Sequence, residues 1–219
     1  MPDWEEIASS AESRYRDGEE RVVDIDDADV RQRQLTRMGN AAGAVGLASL
    51  MAGHSEEAAS WFGRAAERYR ESWQDAPAGS WGRPIGAIKA RVLGGDLAGA
   101  EEAARWALDA GAAEAESPIG RYAATLALLV LGRDHDARRV AGTLRDRDDF
   151  PRPVADALAT IAAGDRIGYL VAVADVLESF ETRDDYLEDV PVADTVLVLQ
   201  ALAAQRDLEV ELPPSELLP

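Results

Sequence analysis

Residues 92–112 read VLGGDLAGAEEAARWALDAGA: an apolar stretch, a break at Gly94-Gly95-Asp96, and a second alanine-rich stretch. Glycine can adopt the left-handed conformation that ends a helix, and an aspartate just after it can cap the next one. The segment therefore predicts two helices folded back antiparallel, with alanines letting them approach closely. The same break recurs as LMAGHSEEAASWFGRAAERY around Gly53, LVLGRDHDARRVAGTLRD around Gly132 and IAAGDRIGYLVAVADVLES around Gly164. The glycines are 42, 37 and 32 residues apart. Intervals of this size predict stacked helical hairpins. The expected fold is all-α, one domain over residues 1–219, with turns near 53–55, 94–96, 132–134 and 164–165 and roughly ten or eleven helices.

Within the units, small and aromatic residues hold fixed offsets from the turn. The first has Gly46, Gly53, Ala58, Phe62 and Ala65; the second keeps Ala100 and Ala107 with Ala104 at the aromatic position. The third keeps Ala137 and has Leu144 last; the fourth has Tyr169, Val173 and Val176. This pattern resembles the tetratricopeptide repeat. The resemblance implies a right-handed superhelix and non-catalytic protein binding along the concave surface of the stack.

The stripe Trp4, Ile7, Ala8, Ala11 and Tyr15 predicts a first helix, begun by Asp3 and ended at Asp17-Gly18. A second is expected from about Val30 to Ala52, and a last from about Val192 to Ala204. Beyond it Leu208, Val210 and Leu212 alternate, and Pro213-Pro214 forbid another regular helix. Residues 208–219 are thus expected to form an extended strap over the last hairpin. Longer loops at 74–84, 112–120, 145–153 and 181–191 should join one hairpin to the next.

There are 41 acidic and 23 basic residues, for a formal net charge of -18, and Lys89 is the sole lysine. Such a chain repels nucleic-acid and anionic-membrane phosphates on average, so neither is an expected partner. Acidic surfaces with arginine in place of lysine resemble proteins of salt-loving organisms, and predict a melting temperature that rises as potassium chloride reaches the molar range. Cysteine is absent, which excludes disulfides, thiolate metal sites and cysteine nucleophiles. The N-terminus has no apolar core of a signal peptide, and the longest apolar run, 122–131, is too short to span a bilayer. A cytoplasmic location is expected.

Little in the chain suggests catalysis. His54 and His135 fall in two hairpin turns. A metal-dependent regulator or enzyme centred on them would need ligands from other repeats, since no paired helical histidine motif is present. DIDDADV resembles a calcium loop but has Asp29 at its sixth position and Leu35 at its twelfth, so it lacks the turn glycine and the final carboxylate. No phosphate-cradling glycine loop and no nucleophile elbow occurs. No enzymatic activity, cofactor or metal is expected.

Two segments look like partner-binding surfaces. Trp73, Trp81 and Arg83 flank a loop of turn formers and are expected to be exposed beside Tyr69, whereas Trp61 and Trp106 are expected to fill gaps between hairpins. The second segment lies near the end. From about Gly168 the chain has a helix, an acid-rich loop with a tyrosine, an alanine-rich helix, LEVELP and a closing Pro-x-x-Leu-Leu. This resembles the C-terminal part of the immunity protein 49 family of bacterial polymorphic toxin systems. The resemblance implies a protein that binds and neutralises a toxin, with Asp184, Asp185, Tyr186, Glu188 and Asp189 as contacts for a basic partner.

Overall fold

A computed structural model describes residues 2–219. Ten α-helices follow in order: α1 Trp4–Val22, α2 Ala28–Met51, α3 Ser55–Ser72, α4 Gly82–Leu93, α5 Leu97–Asp109, α6 Pro118–Val130, α7 Asp134–Arg145, α8 Arg152–Ala163, α9 Arg166–Glu181 and α10 Asp194–Ala204. Short 3-10 turns lie at Ala112–Glu114 and Leu187–Asp189, and no strand occurs among the described residues.

The four glycine breaks are one structure repeated four times. Gly53, Gly95, Gly132 and Gly164 all have positive φ, between 67° and 83°. In each turn the residue after the glycine donates its N–H to the carbonyl five positions back: His54 to Ser49, Asp96 to Arg91, Arg133 to Leu128 and Asp165 to Thr160, at 2.8–3.0 Å. The glycine N–H bonds three back, as in Gly53 to Leu50 and Gly132 to Leu129. These two bonds satisfy carbonyls that a helix end leaves open, and they require the left-handed residue between them. Side-chain capping of the next helix is less uniform. Asp96 and Asp165 accept from Gly99 and Gly168, but His54 and Arg133 stand at the corresponding positions with no side-chain cap.

After α10 the same turn is made without glycine. Asp207 takes φ 55°, and Leu208 donates to Ala203. Aspartate tolerates this conformation better than most side chains. The chain then runs as an extended strap across α9 and α10. Tyr169 donates to Gln200, whose amide donates to the Val210 carbonyl, and Ala193 donates to the Leu217 carbonyl. Leu208 is buried at the strap's start.

Small residues admit aromatic plugs. A Cβ on Gly46 would lie 2.8 Å from the Phe62 ring, and one on Gly39 or Gly86 would lie 2.9 or 2.6 Å from Tyr69. Tyr69 of α3 is thereby wedged between α2 and α4, a burial that contributes about 1.5–3 kcal/mol. Ala58, Ala65, Ala100, Ala107 and Ala137 are buried, as their offsets imply. Gly18 corrects the first helix boundary. It does not end α1 but sits buried inside it, where a Cβ would meet Met38 of α2 at 2.5 Å.

Consecutive helices pack on one another, and the even-numbered helices also touch: α2 with α4, α4 with α6, and α6 with α8. Their odd-numbered partners make no comparable contacts, so the even helices line the inside of the curve. That curve is tight. α10 packs against α4 as well as α8 and α9, and the 3-10 turn Leu187–Asp189 packs against α2. The concave side expected to be open is therefore crossed by the chain's own C-terminal segment.

Candidate functional site

Where the C-terminal segment crosses, a cavity of about 460 Å³ remains. Its walls come from α2, α3, α4 and residues 180–195, with Leu47, Phe62, Ile85 and Leu93 among the apolar ones. Pockets of this size with a few placed polar groups are the usual form of ligand sites.

Residues from the two candidate segments meet here: Arg83 from the first, and Tyr186 and Glu188 from the second. The others do not join them. Trp81 is buried, with 9% of its surface exposed, and corrects the expectation of an accessible tryptophan. Its ring centroid lies 5.7 Å from that of half-buried Trp73, which in turn meets Trp106 edge-on at 5.6 Å. Gly120 makes room at the start of α6, since a Cβ there would stand 2.8 Å from the Trp81 indole nitrogen. The tryptophans thus weld the end of α3 to α5 and α6, and Tyr69, expected beside them in a groove, is buried between helices instead.

The acidic loop is held differently. The Tyr186 hydroxyl donates to the Phe180 carbonyl at 2.7 Å, and Glu188 pairs with Arg14 of α1 at 3.3 Å. Glu188 and Asp189 both take positive φ, 57° and 59°. This conformation is disfavoured for residues with a Cβ and persists only where the surroundings enforce it. Asp184, Asp185 and Asp189 remain exposed, and Leu187 keeps 69% of its surface in solvent.

Lys89, the one lysine, points from α4 to the start of α10. It pairs with Asp194 and donates to the Thr195 hydroxyl at 3.1 Å. Burial, the largest single effect, pulls its pKa down, but the charges of Asp194 and Tyr122 together with the Asp194 hydrogen bond outweigh it, leaving the group above the ordinary lysine range. Burial pushes the Tyr69 hydroxyl up as well, and the nearby charges of Asp194 and Glu188 add to that shift. Arg83 donates to Ser72 at 3.1 Å and to Gln32, and burial lowers its pKa.

The histidines stay in solvent. His54 lies 3.7 Å from Glu57 at the start of α3, and His135 is almost fully exposed beside Asp136. No group of three or more His, Cys, Asp or Glu side chains placed to hold a metal ion occurs among the described residues. No helix among them is long and apolar enough to cross a membrane.

A surface absent from the sequence-based candidates lies on α9. Ile167, Leu170 and Val171 are exposed, Ile167 at 81%. They follow helical spacing away from the buried face of Tyr169, Ala172, Val173, Val176 and Leu177. Continuing the same stripe by helical steps of four and three leads to Asp175 and Glu178, both exposed, and then to the acidic loop. The signal was present in IGYLVAVADVL, which is apolar on both sides of the helix.

The fold and these surfaces define an all-α hairpin array that closes on a walled cavity and leaves one outer helix partly apolar. No family model, curated protein or solved structure matches the chain.

Proposed function

We propose that this chain is a non-catalytic protein-binding module whose partner docks on the outer face of α9 and the adjoining acidic loop. The observation that carries this reading is the contiguous stripe of Ile167, Leu170 and Val171 leading into Asp175, Glu178, Asp184 and Asp185. Exposed apolar side chains grouped on one helix face mark interaction surfaces, whereas scattered ones do not. The acids beside them favour a partner whose apolar ridge is flanked by basic residues, through faster encounter and fixed register. The pinned backbone at Glu188 and Asp189 favours binding too, because a preorganised loop loses less entropy on docking. An immunity function narrows this partner to a toxin and uses the same surface.

The test compares capture at high salt by the wild-type chain and by the double variant Leu170→Asp, Val171→Asp, with the fold monitored by circular dichroism. A partner retained by the wild type and lost by the folded variant supports the reading. Equal retention by both moves the binding surface elsewhere and overturns it.

A further inference from the structure

The cavity carries a charge imbalance opposite to that of the whole chain. Five ionised side chains line it: Arg83, Lys89, Arg183, Glu188 and Asp194. One of the three cations and both anions are accounted for by pairs, Lys89 with Asp194 and Glu188 with Arg14, which lies outside the wall. Arg83 and Arg183 have no carboxylate partner among the described residues. Arg83 bonds only neutral groups, Ser72 and Gln32. Arg183 donates to the Ser179 carbonyl and hydroxyl, and stacks over the Phe180 ring with its guanidinium carbon 3.6 Å from the centroid.

Some arginines of this acidic chain pair with carboxylates, as Arg16, Arg33, Arg105 and Arg133 do, and others, such as Arg31, Arg64 and Arg138, have none within 4.0 Å among the described residues. Arg83 and Arg183 are the unpaired ones that line the cavity. A guanidinium cannot escape by deprotonation, and half-buried Arg83 bears the cost of leaving water without a counter-ion, while Arg183 stands exposed where it lines the cavity. Each of the two still has N–H groups unused by these bonds. An oxyanion satisfies such groups in the planar, paired geometry that guanidinium favours.

We propose that the cavity binds a small amphipathic anion: a carboxylate or phosphate carried on a hydrocarbon skeleton, with Arg83 and Arg183 taking the oxyanion and the apolar wall of α2 and α4 taking the skeleton. Gly43 of α2 supplies the free volume. It lines the cavity, and a Cβ placed on it meets nothing within 4 Å. The two sites adjoin at residues 183–188, but Ile167, Leu170 and Val171 lie outside the cavity lining, so the anion test and the Leu170→Asp, Val171→Asp test fail separately.

The experiment is isothermal titration of the full chain with four ten-carbon probes below their micellar concentrations: decanoate, decyl phosphate, decan-1-ol and decyltrimethylammonium. A net charge of -18 attracts the cationic probe and repels the anions, so a preference for anions must come from local groups. Saturable binding of one decanoate or one decyl phosphate per chain is expected, at least tenfold tighter than decanol or the cation. Whichever anion binds more tightly identifies the head group as carboxylate or phosphate. Arg183→Gln should weaken it at least fivefold, and Gly43→Leu should abolish it while preserving or raising the melting temperature, since leucine favours a helix and the space is open. Because Arg83 also ties α2 to α3, Arg183 and Gly43 carry the test. The proposal is overturned by the absence of saturable anion binding, by equal binding of decanol or the cation, or by anion binding that survives Gly43→Leu.

Discussion

The loop around residues 73–83 and the loop around residues 182–193 look alike in sequence, each mixing turn formers with aromatic or acidic residues, yet they end in opposite places. The first is drawn inward: Trp81 is buried, and Trp73 bridges it to Trp106. The second is held outward, with Leu187 in solvent over a backbone pinned by Tyr186 and Glu188. What decides is the cost of dehydration. Large aromatic surface gains on leaving water wherever a gap between helices exists, whereas a run of unpaired carboxylates does not.

The sharpest way to break this contrast is Trp81→Ala. Truncating a buried tryptophan should cost about 3–5 kcal/mol, read as a large drop in melting temperature; a loss under ~1 kcal/mol would return the loop to the surface. Gly86→Ala comes next. Its Cβ would press on Tyr69 where the two regions meet, and overpacking of this kind costs about 1–3 kcal/mol, measurable by urea unfolding. Ala100, buried at a hairpin contact, should respond similarly to a bulky replacement.

Alkaline pH tests the seam between the regions. Tyr69 and Tyr122 have pKa values raised chiefly by burial, and Lys89, pulled down by burial, is raised on balance by Asp194 and Tyr122 together. The folded state therefore keeps protons that the unfolded chain releases first. Stability contributed by these groups is complete below the ordinary tyrosine and lysine values near 10 and falls as pH rises beyond them, by at most about 1.4 kcal/mol per pH unit for each group. Urea midpoints that stay constant from pH 9 to 11.5 would contradict the buried placement.

The loop's tether is weaker. Arg14→Ala should cost no more than about 1 kcal/mol, because the pair is partly exposed, but should hasten hydrogen exchange across residues 184–190. Unchanged exchange would mean that Glu188 does not hold the loop. Leu187→Ser should shift stability by less than about 0.5 kcal/mol; a larger loss would show the loop to be packed like its tryptophan-rich counterpart.

The hairpin turns were legible because each break needs a left-handed residue, and glycine announces it. The same reasoning misplaced the end of α1, since Gly18 serves close approach to Met38 and not chain reversal. Glycine has both uses, and the local pattern does not distinguish them. At Asp207 the reverse holds, a left-handed turn without glycine. Arg83, Tyr186 and Glu188 were legible as singular residues, but not as neighbours. Their meeting depends on the curvature of the whole stack, which no single repeat encodes. The α9 stripe was overlooked because an apolar helix near the chain's end reads as core when its second face has no assigned neighbour.

The contact of α10 with α4 separates this molecule from an open array, where each repeat touches only its neighbours and assembly can begin anywhere. Here Lys89 waits for Thr195, 106 positions later in the chain. A polypeptide emerging from the ribosome can build its first hairpins early, but the cavity lacks its C-terminal wall until residues 180–195 are released. Closing so long a loop is entropically demanding and slow, so the pocket is completed late, when residues 180–195 dock across α2 and α4.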